Sequence, residues 1–258
     1  MVTKKDVFAW LERMEIAEDA HVTMHTSLRA VGAIDGGADG LLDAMTAYLH
    51  RGLLLIPTHT WAVVTKKNPV FDVRKTVPNI GTLPTVAAFR ADAVRTLHPT
   101  HSMAIFGKGA REYAEGEEKS QTPAPMGGAL SRLYEDKGKI ILLGVGQDKN
   151  TYFHSVDERI NIRNRLNQSP YIATIIDWEG RELKSPLYHS HAGRCSYFYP
   201  NYTPALEYAG AVKYDRLGNA KVTLCDAVKS TDILCRMWER ADYDLCCDVR
   251  PVDEKYYK

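Results

Sequence analysis

The chain lacks any long apolar run. Its opening stretch, MVTKKDVFAWLERMEIAEDA, mixes charges into the apolar positions, so neither a signal peptide nor a membrane span is expected there. It also lacks an excess of charge of one sign. Lys plus Arg number 33 against 32 for Asp plus Glu, a net charge of +1, which excludes the broad basic surface of a nucleic-acid or anionic-membrane binder and leaves binding to a local site. Cysteine is scarce: Cys195, Cys225, Cys235, Cys246 and Cys247 lie in the last quarter, are odd in number and form no CxxC pair. Reduced thiols in a cytoplasmic protein are therefore expected rather than a disulfide framework. There is no internal repeat, no low-complexity tract and no HExxH zinc signature.

What is present can fold. With 258 residues, 45% of them hydrophobic, the chain can bury a large core as one domain over 1–258, with an α/β core over 1–168 and a carboxyl-terminal subdomain over 169–258. Val7, Phe8, Leu11 and Met14 recur at helical spacing, AHVTMHT alternates as a strand, ADGLLDAMTAYLH is helical, and LLLIPT is a buried strand. Strand, helix, strand in that order predicts a parallel crossover. From Trp61 to Pro84 no period is sustained, so a long loop is expected, a lid or site wall. LPTVAAFRA and GALSRLYEDKG read as helices, SMAIFG and KIILLG as strands. Beyond Pro170 the texture becomes antiparallel: a hairpin through Glu179-Gly180, another through Leu217-Gly218-Asn219, then a helix over AVKSTDILCRMWERA.

Four clusters could carry chemistry. HTSLRAVG, from His25, follows a strand, and its amides with the Thr26 and Ser27 hydroxyls could hold an anion or simply cap a helix. RTLHPTHS concentrates Arg95, His98, His101 and Ser102 around a proline. In NTYFHSVDER a helix starting near Thr151, capped by its hydroxyl, would set His154 on one face with Asp157 at i+3 and Glu158 at i+4. A neutral imidazole so flanked can take a proton while a carboxylate fixes its tautomer. HSHAGRC offers His189 and His191, an H-x-H pair open to metal ligation, substrate contact or a structural role.

In chain order, HTSLRAVG, IPTHTW, NPVFD followed by NIGTLP and AAFR, RTLHPTHS, ILLGVGQDKNTYFH and GNAKVTLCDA resemble the aminoglycoside 3-N-acetyltransferase family, antibiotic acetyltransferases not built on the GNAT fold. The resemblance implies a mixed-sheet α/β sandwich with a smaller carboxyl-terminal antiparallel element. It further implies acetyl-CoA as cosubstrate, no metal, and direct transfer to an amine of an aminoglycoside or related amino sugar. Carried over, Thr26, Ser27, Leu28, Arg95, Thr96, His98 and Ser102 would line the acetyl-CoA cleft, and His154 matches the catalytic histidine of the NTxxH signature. The family usually has Glu three positions on; here Asp157 is followed by Glu158, and the orienting acid stays open between them. Asp72, the acid of the otherwise basic segment VVTKKNPVFDVRK, and His189 and His191 are the candidate substrate contacts. A small-molecule amine is the expected partner, with no nucleic acid or membrane, in a monomer or homodimer. Two rival readings remain: a metal-dependent hydrolase built from His154, Asp157, His189 and His191, and a CoA-binding protein without turnover.

Overall fold

Ten strands form two sheets in the computed structural model, which describes residues 1–162, 165–189, 195–241 and 252–258. In chain order they are β1 (His21–Thr26), β2 (Leu53–Pro57), β3 (Val70–Asp72), β4 (Ala93–Arg95), β5 (Met103–Phe106), β6 (Lys139–Leu143), β7 (Tyr171–Ile176), β8 (Glu182–Leu187), β9 (Val212–Leu217) and β10 (Ala220–Asp226). The large sheet runs β4-β5-β2-β1-β6-β10-β9 and the small one β3-β7-β8. At the centre β1 is parallel to both β2 and β6, as the crossover predicted, while β5 and β10 flank them antiparallel. The α/β fold and its mixed sheet are thus as expected.

Helices cover both faces of the large sheet: α1 (Lys4–Arg13), α2 (Leu28–Val31), α3 (Gly37–Tyr48), α4 (Thr82–Ala88), α5 (Ala110–Ala114), α6 (Ala129–Glu135), α7 (Phe153–Arg159), α8 (Cys195–Phe198), α9 (Thr203–Tyr208) and α10 (Ala227–Arg240). The unbroken apolarity of β6 follows from this double cover. Because side chains alternate along a strand, Ile140 and Leu142 pack with Leu133, Phe153, Leu234 and Trp238 on one side. Ile141 and Leu143 pack with Trp10, Leu41 and Met45 on the other. Helix α1 starts on a capping box in which the Thr3 side chain and Asp6 satisfy each other's backbone N–H groups.

Three expectations change. The stretch from Trp61 to Pro84 is not all loop: β3 lies inside it and pairs in parallel with β7, Val70 opposite Thr174, and α4 begins at Thr82. Three residues are too few to display a period. Residues 169–258 do not make one layer. Strands β7 and β8 build the small sheet with β3, whereas β9 and β10 complete the large sheet against β6. Helix α7 begins at Phe153 with Tyr152 as its N-cap and no side-chain cap, so Thr151 does not cap it. The hairpin turns are where expected: β7–β8 turns at Gly180 and β9–β10 at Gly218 and Asn219. Cys225 and Cys235 are free thiols, and Cys246 and Cys247 lie outside the described residues. Among the described residues no helix is long and apolar enough to cross a membrane.

Candidate active site

The parallel strands β1, β2 and β6 end on the same side of the sheet, the side where open α/β sheets bind ligands. A cavity of about 690 Å³ opens there, walled by Thr26 at the end of β1, Pro57 at the end of β2 and Val145 after β6. Ser27, Leu28 and Arg29 form one wall, Ile80, Leu83 and Pro84 another, and His154 reaches it from α7. The loop after β1 tightens directly into α2, whose N-cap is Ser27. The first N–H groups of such a helix have no intrahelical acceptor. Thr26 Oγ1 is buried in this wall without a hydrogen-bond partner among the described residues.

These features fit an acyl-CoA. Arg29 and Lys149 can face phosphates, the apolar walls suit a pantetheine arm, and the first amides of α2 suit an anion or carbonyl.

His154 is buried at the inner wall. Its Nδ1 lies 2.9 Å from the Tyr199 hydroxyl, which lies 2.9 Å from Asp157 Oδ2. Nδ1 and Oδ2 themselves are 3.8 Å apart, too far for a hydrogen bond. Arg165 Nε donates to the same Oδ2 at 2.8 Å. Of the two acids left open by the sequence, the structure brings Asp157 to His154. Glu158 turns the other way, accepting from Thr122 Oγ1 and from Ala124 N at 2.9 Å, where burial raises its pKa. One position along a helix is a rotation of about a hundred degrees, enough to separate the two roles.

Burial is the largest influence on His154 and lowers its pKa. The Arg165 charge adds to the effect, and Asp157 opposes it. His154 belongs to a cluster of imidazoles: His101 and His154 rings are 5.8 Å apart, His59 and His101 4.7 Å, and His25 Nε2 is 3.5 Å from Thr151 Oγ1. Burial pushes His25 down to about 3 and His98 to about 4, and holds His59 and His101 well below the usual value. Neutral rings are what such crowding permits.

The segment RTLHPTHS divides differently from expectation. Arg95, Thr96, His98 and Ser102 do not line the cavity. Arg95 is buried and donates to the carbonyls of Thr58, Val73 and Thr76 and to Ser102 Oγ, with its guanidinium 5.0 Å over Phe71. It ties the segment after β2 to the sheet, and burial lowers its pKa to about 10. Thr96 Oγ1 accepts from Met103 N at 3.1 Å. His98 Nε2 faces the Thr122 carbonyl at 2.8 Å, and its Nδ1 accepts from the backbone of Thr100 and His101. The member that does reach the cavity is His101.

Asp72 is likewise displaced from its expected role. It sits in β3, accepts from Arg74 N at 2.9 Å, and does not line the cavity. His189 does, stacked on Tyr171 at 5.0 Å, while His191 lies outside the described residues. Among the described residues no group of three or more His, Cys, Asp or Glu side chains is arranged to hold a metal. Sequence reasoning missed Tyr199, Arg165 and His59 as members of the site. Tyr199 is 42 positions from Asp157, and no spacing rule links them.

Known proteins resemble this chain in sequence and in fold. A family model described as aminoglycoside 3-N-acetyltransferase matches residues 23–239. Aminoglycoside N(3)-acetyltransferase III of Serratia marcescens is 26% identical over 182 residues, which cover 64% of this chain and 67% of that protein. The crystal structure of aminoglycoside acetyltransferase AAC(3)-Xa superposes with a TM-score of 0.80 at 23% identity, covering 93% of each chain. AAC-IIIb in a binary complex with CoASH superposes with a TM-score of 0.78 at 18% identity, over 93% of this chain and 97% of that one. At such identities the two structures establish a shared fold.

Proposed function

The chain belongs to the aminoglycoside 3-N-acetyltransferase family, and from that membership we propose that it transfers the acetyl group of acetyl-CoA to an amine of an aminoglycoside or related amino sugar, with His154 as general base. The observation that carries the reading is a buried imidazole, hydrogen-bonded at Nδ1 and lowered in pKa, at the wall of a cavity that Ser27, Leu28 and Arg29 also line.

Acetyl-CoA supplies an activated thioester. Ser27, Leu28 and Arg29 hold its arm and phosphates, with Lys149 lining the same cavity. His154 takes a proton from the amine as nitrogen attacks the acyl carbon, since only the unprotonated nitrogen is nucleophilic. Backbone amides of the turn donate to the charge that grows on the acyl oxygen. As the carbon–sulfur bond breaks, the proton passes from His154 to the departing sulfur. His189 and His101 line the same cavity and are available to the acceptor.

Incubation with acetyl-CoA, a panel of aminoglycosides and simpler amino sugars, and a thiol reagent tests the activity. CoA release with at least one amine is expected, together with a raised melting temperature in acetyl-CoA alone. Neither effect appearing would sink the proposal. His154→Ala is expected to lower turnover about a hundredfold or more, the scale of a lost general base. Retained turnover in that variant removes His154 from the role. Binding of acetyl-CoA without turnover on any amine would favour instead a CoA-binding protein.

A further inference from the structure

His154 and Asp157 lie on one turn of α7, yet the carboxylate stops 3.8 Å short of the ring nitrogen, and the Tyr199 hydroxyl fills the gap at 2.9 Å from each. From this geometry we infer that Tyr199 is a positioning residue: it fixes the proton of His154 on Nδ1 and so leaves Nε2 as the basic nitrogen. The inference rests on His154 being the base and adds the group that sets its tautomer.

Counting donors gives the direction of each bond. The Nε–H of Arg165 can only donate, and it gives to Asp157 Oδ2 at 2.8 Å. A carboxylate oxygen held by a guanidinium is an acceptor, with room for a second hydrogen. The single phenolic proton of Tyr199 therefore goes to Asp157. The phenol oxygen then offers His154 a lone pair, and Nδ1 must carry the hydrogen. The other ring nitrogen, Nε2, makes no hydrogen bond among the described residues.

Burial makes this order firm. Asp157 and Tyr199 are both fully buried, so bulk water does not compete for the chain of bonds. The Phe153 ring packs edge-on against Tyr199 with centroids 5.0 Å apart, which limits the phenol's swing. When Nε2 takes a proton, the resulting imidazolium faces the Asp157 charge through the phenol, and no proton has to leave Nδ1. Tyr199 thus does by hydrogen bonding what a longer carboxylate would do by direct contact.

Two measurements test the inference. The ¹⁵N spectrum of ligand-free protein labelled at histidine nitrogens, with His154 identified by its loss in His154→Ala, should show a protonated Nδ1 and a bare Nε2. Tyr199→Phe should shift that ring to the other tautomer or to a mixture. With acetyl-CoA and the amine of the panel that is acetylated fastest, the same variant should lose about 10- to 100-fold in kcat with the KM for acetyl-CoA essentially unchanged. Adding Asp157→Glu, one methylene longer, should restore about tenfold by letting the carboxylate meet Nδ1 directly.

A wild-type ring protonated on Nε2 overturns the inference, as does a tautomer unmoved by Tyr199→Phe. If that variant does not fold, the wild-type spectrum and that of Asp157→Asn decide. The two readings fail separately. Full turnover in His154→Ala beside a wild-type Nδ1–H ring removes the base and leaves the tautomer assignment standing. An inactive His154→Ala beside an unchanged Tyr199→Phe does the reverse.

Discussion

Burial and the Arg165 charge both disfavour the His154 imidazolium, so the ring stays neutral to a lower pH than an ordinary histidine, which titrates near 6.5. The sign of the consequence is fixed. A base works unprotonated, so activity governed by this group is full above its lowered pKa and is lost only as pH falls through it. The acid limb of kcat/KM attributable to His154 is expected below about pH 6.5, alongside an NMR titration of the ring in the ligand-free protein with the same midpoint. A midpoint above that value would contradict the assignment of burial as the dominant influence. The sequence leaves open which acid neighbours His154, because Asp157 and Glu158 both fall within reach of a histidine on a helix. The choice was made by what faces them across space: Tyr199 and Arg165 for one, Thr122 and Ala124 for the other.

Elements were legible in proportion to how much of their signal is local. Strand β6 declares itself as an unbroken apolar run because both its faces are covered. Strand β3 does not, because its three residues owe their conformation to β7, far along the chain. The segment RTLHPTHS shows the same limit at the site. A dense polar cluster is visible, but not that Arg95 and His98 turn inward to hold carbonyls while His101 turns to the cavity. The β9–β10 hairpin is legible in Leu217-Gly218-Asn219 because its turn requires a glycine. Gly218 has φ +57, and a Cβ there would come within 2.5 Å of the Val31 carbonyl oxygen. Gly218→Ala is accordingly expected to cost about 2 kcal/mol or more and to lower the melting temperature by about 5 °C. Gly180→Ala, whose Cβ would meet nothing closer than the tip of Arg74 at 3.6 Å, should cost less. Equal losses in the two variants would mean that crowding against Val31 is not the cause.

Across the whole molecule, residues far apart in the chain meet at the carboxyl ends of the central strands of the large sheet. The cavity draws on the turn after β1, the segments after β2 and β6, and the chain around Tyr197. The family match over residues 23–239 covers all of these. The order of the large sheet also has a meaning in time. Strand β6 is bonded on one side to β1, made earlier, and on the other to β10, which begins at Ala220. During synthesis β6 must wait for the chain between them, on the order of ten seconds at ordinary elongation rates, with one row of backbone groups unpaired and an apolar face bare. A chain stopped after residue 211 never receives β9, β10 or α10, and is expected in the insoluble fraction when the full chain is soluble. Recovery of that shortened chain as a dispersed, folded monomer would count against this. The nascent protein is therefore expected to keep an aggregation-prone face until its last quarter has emerged.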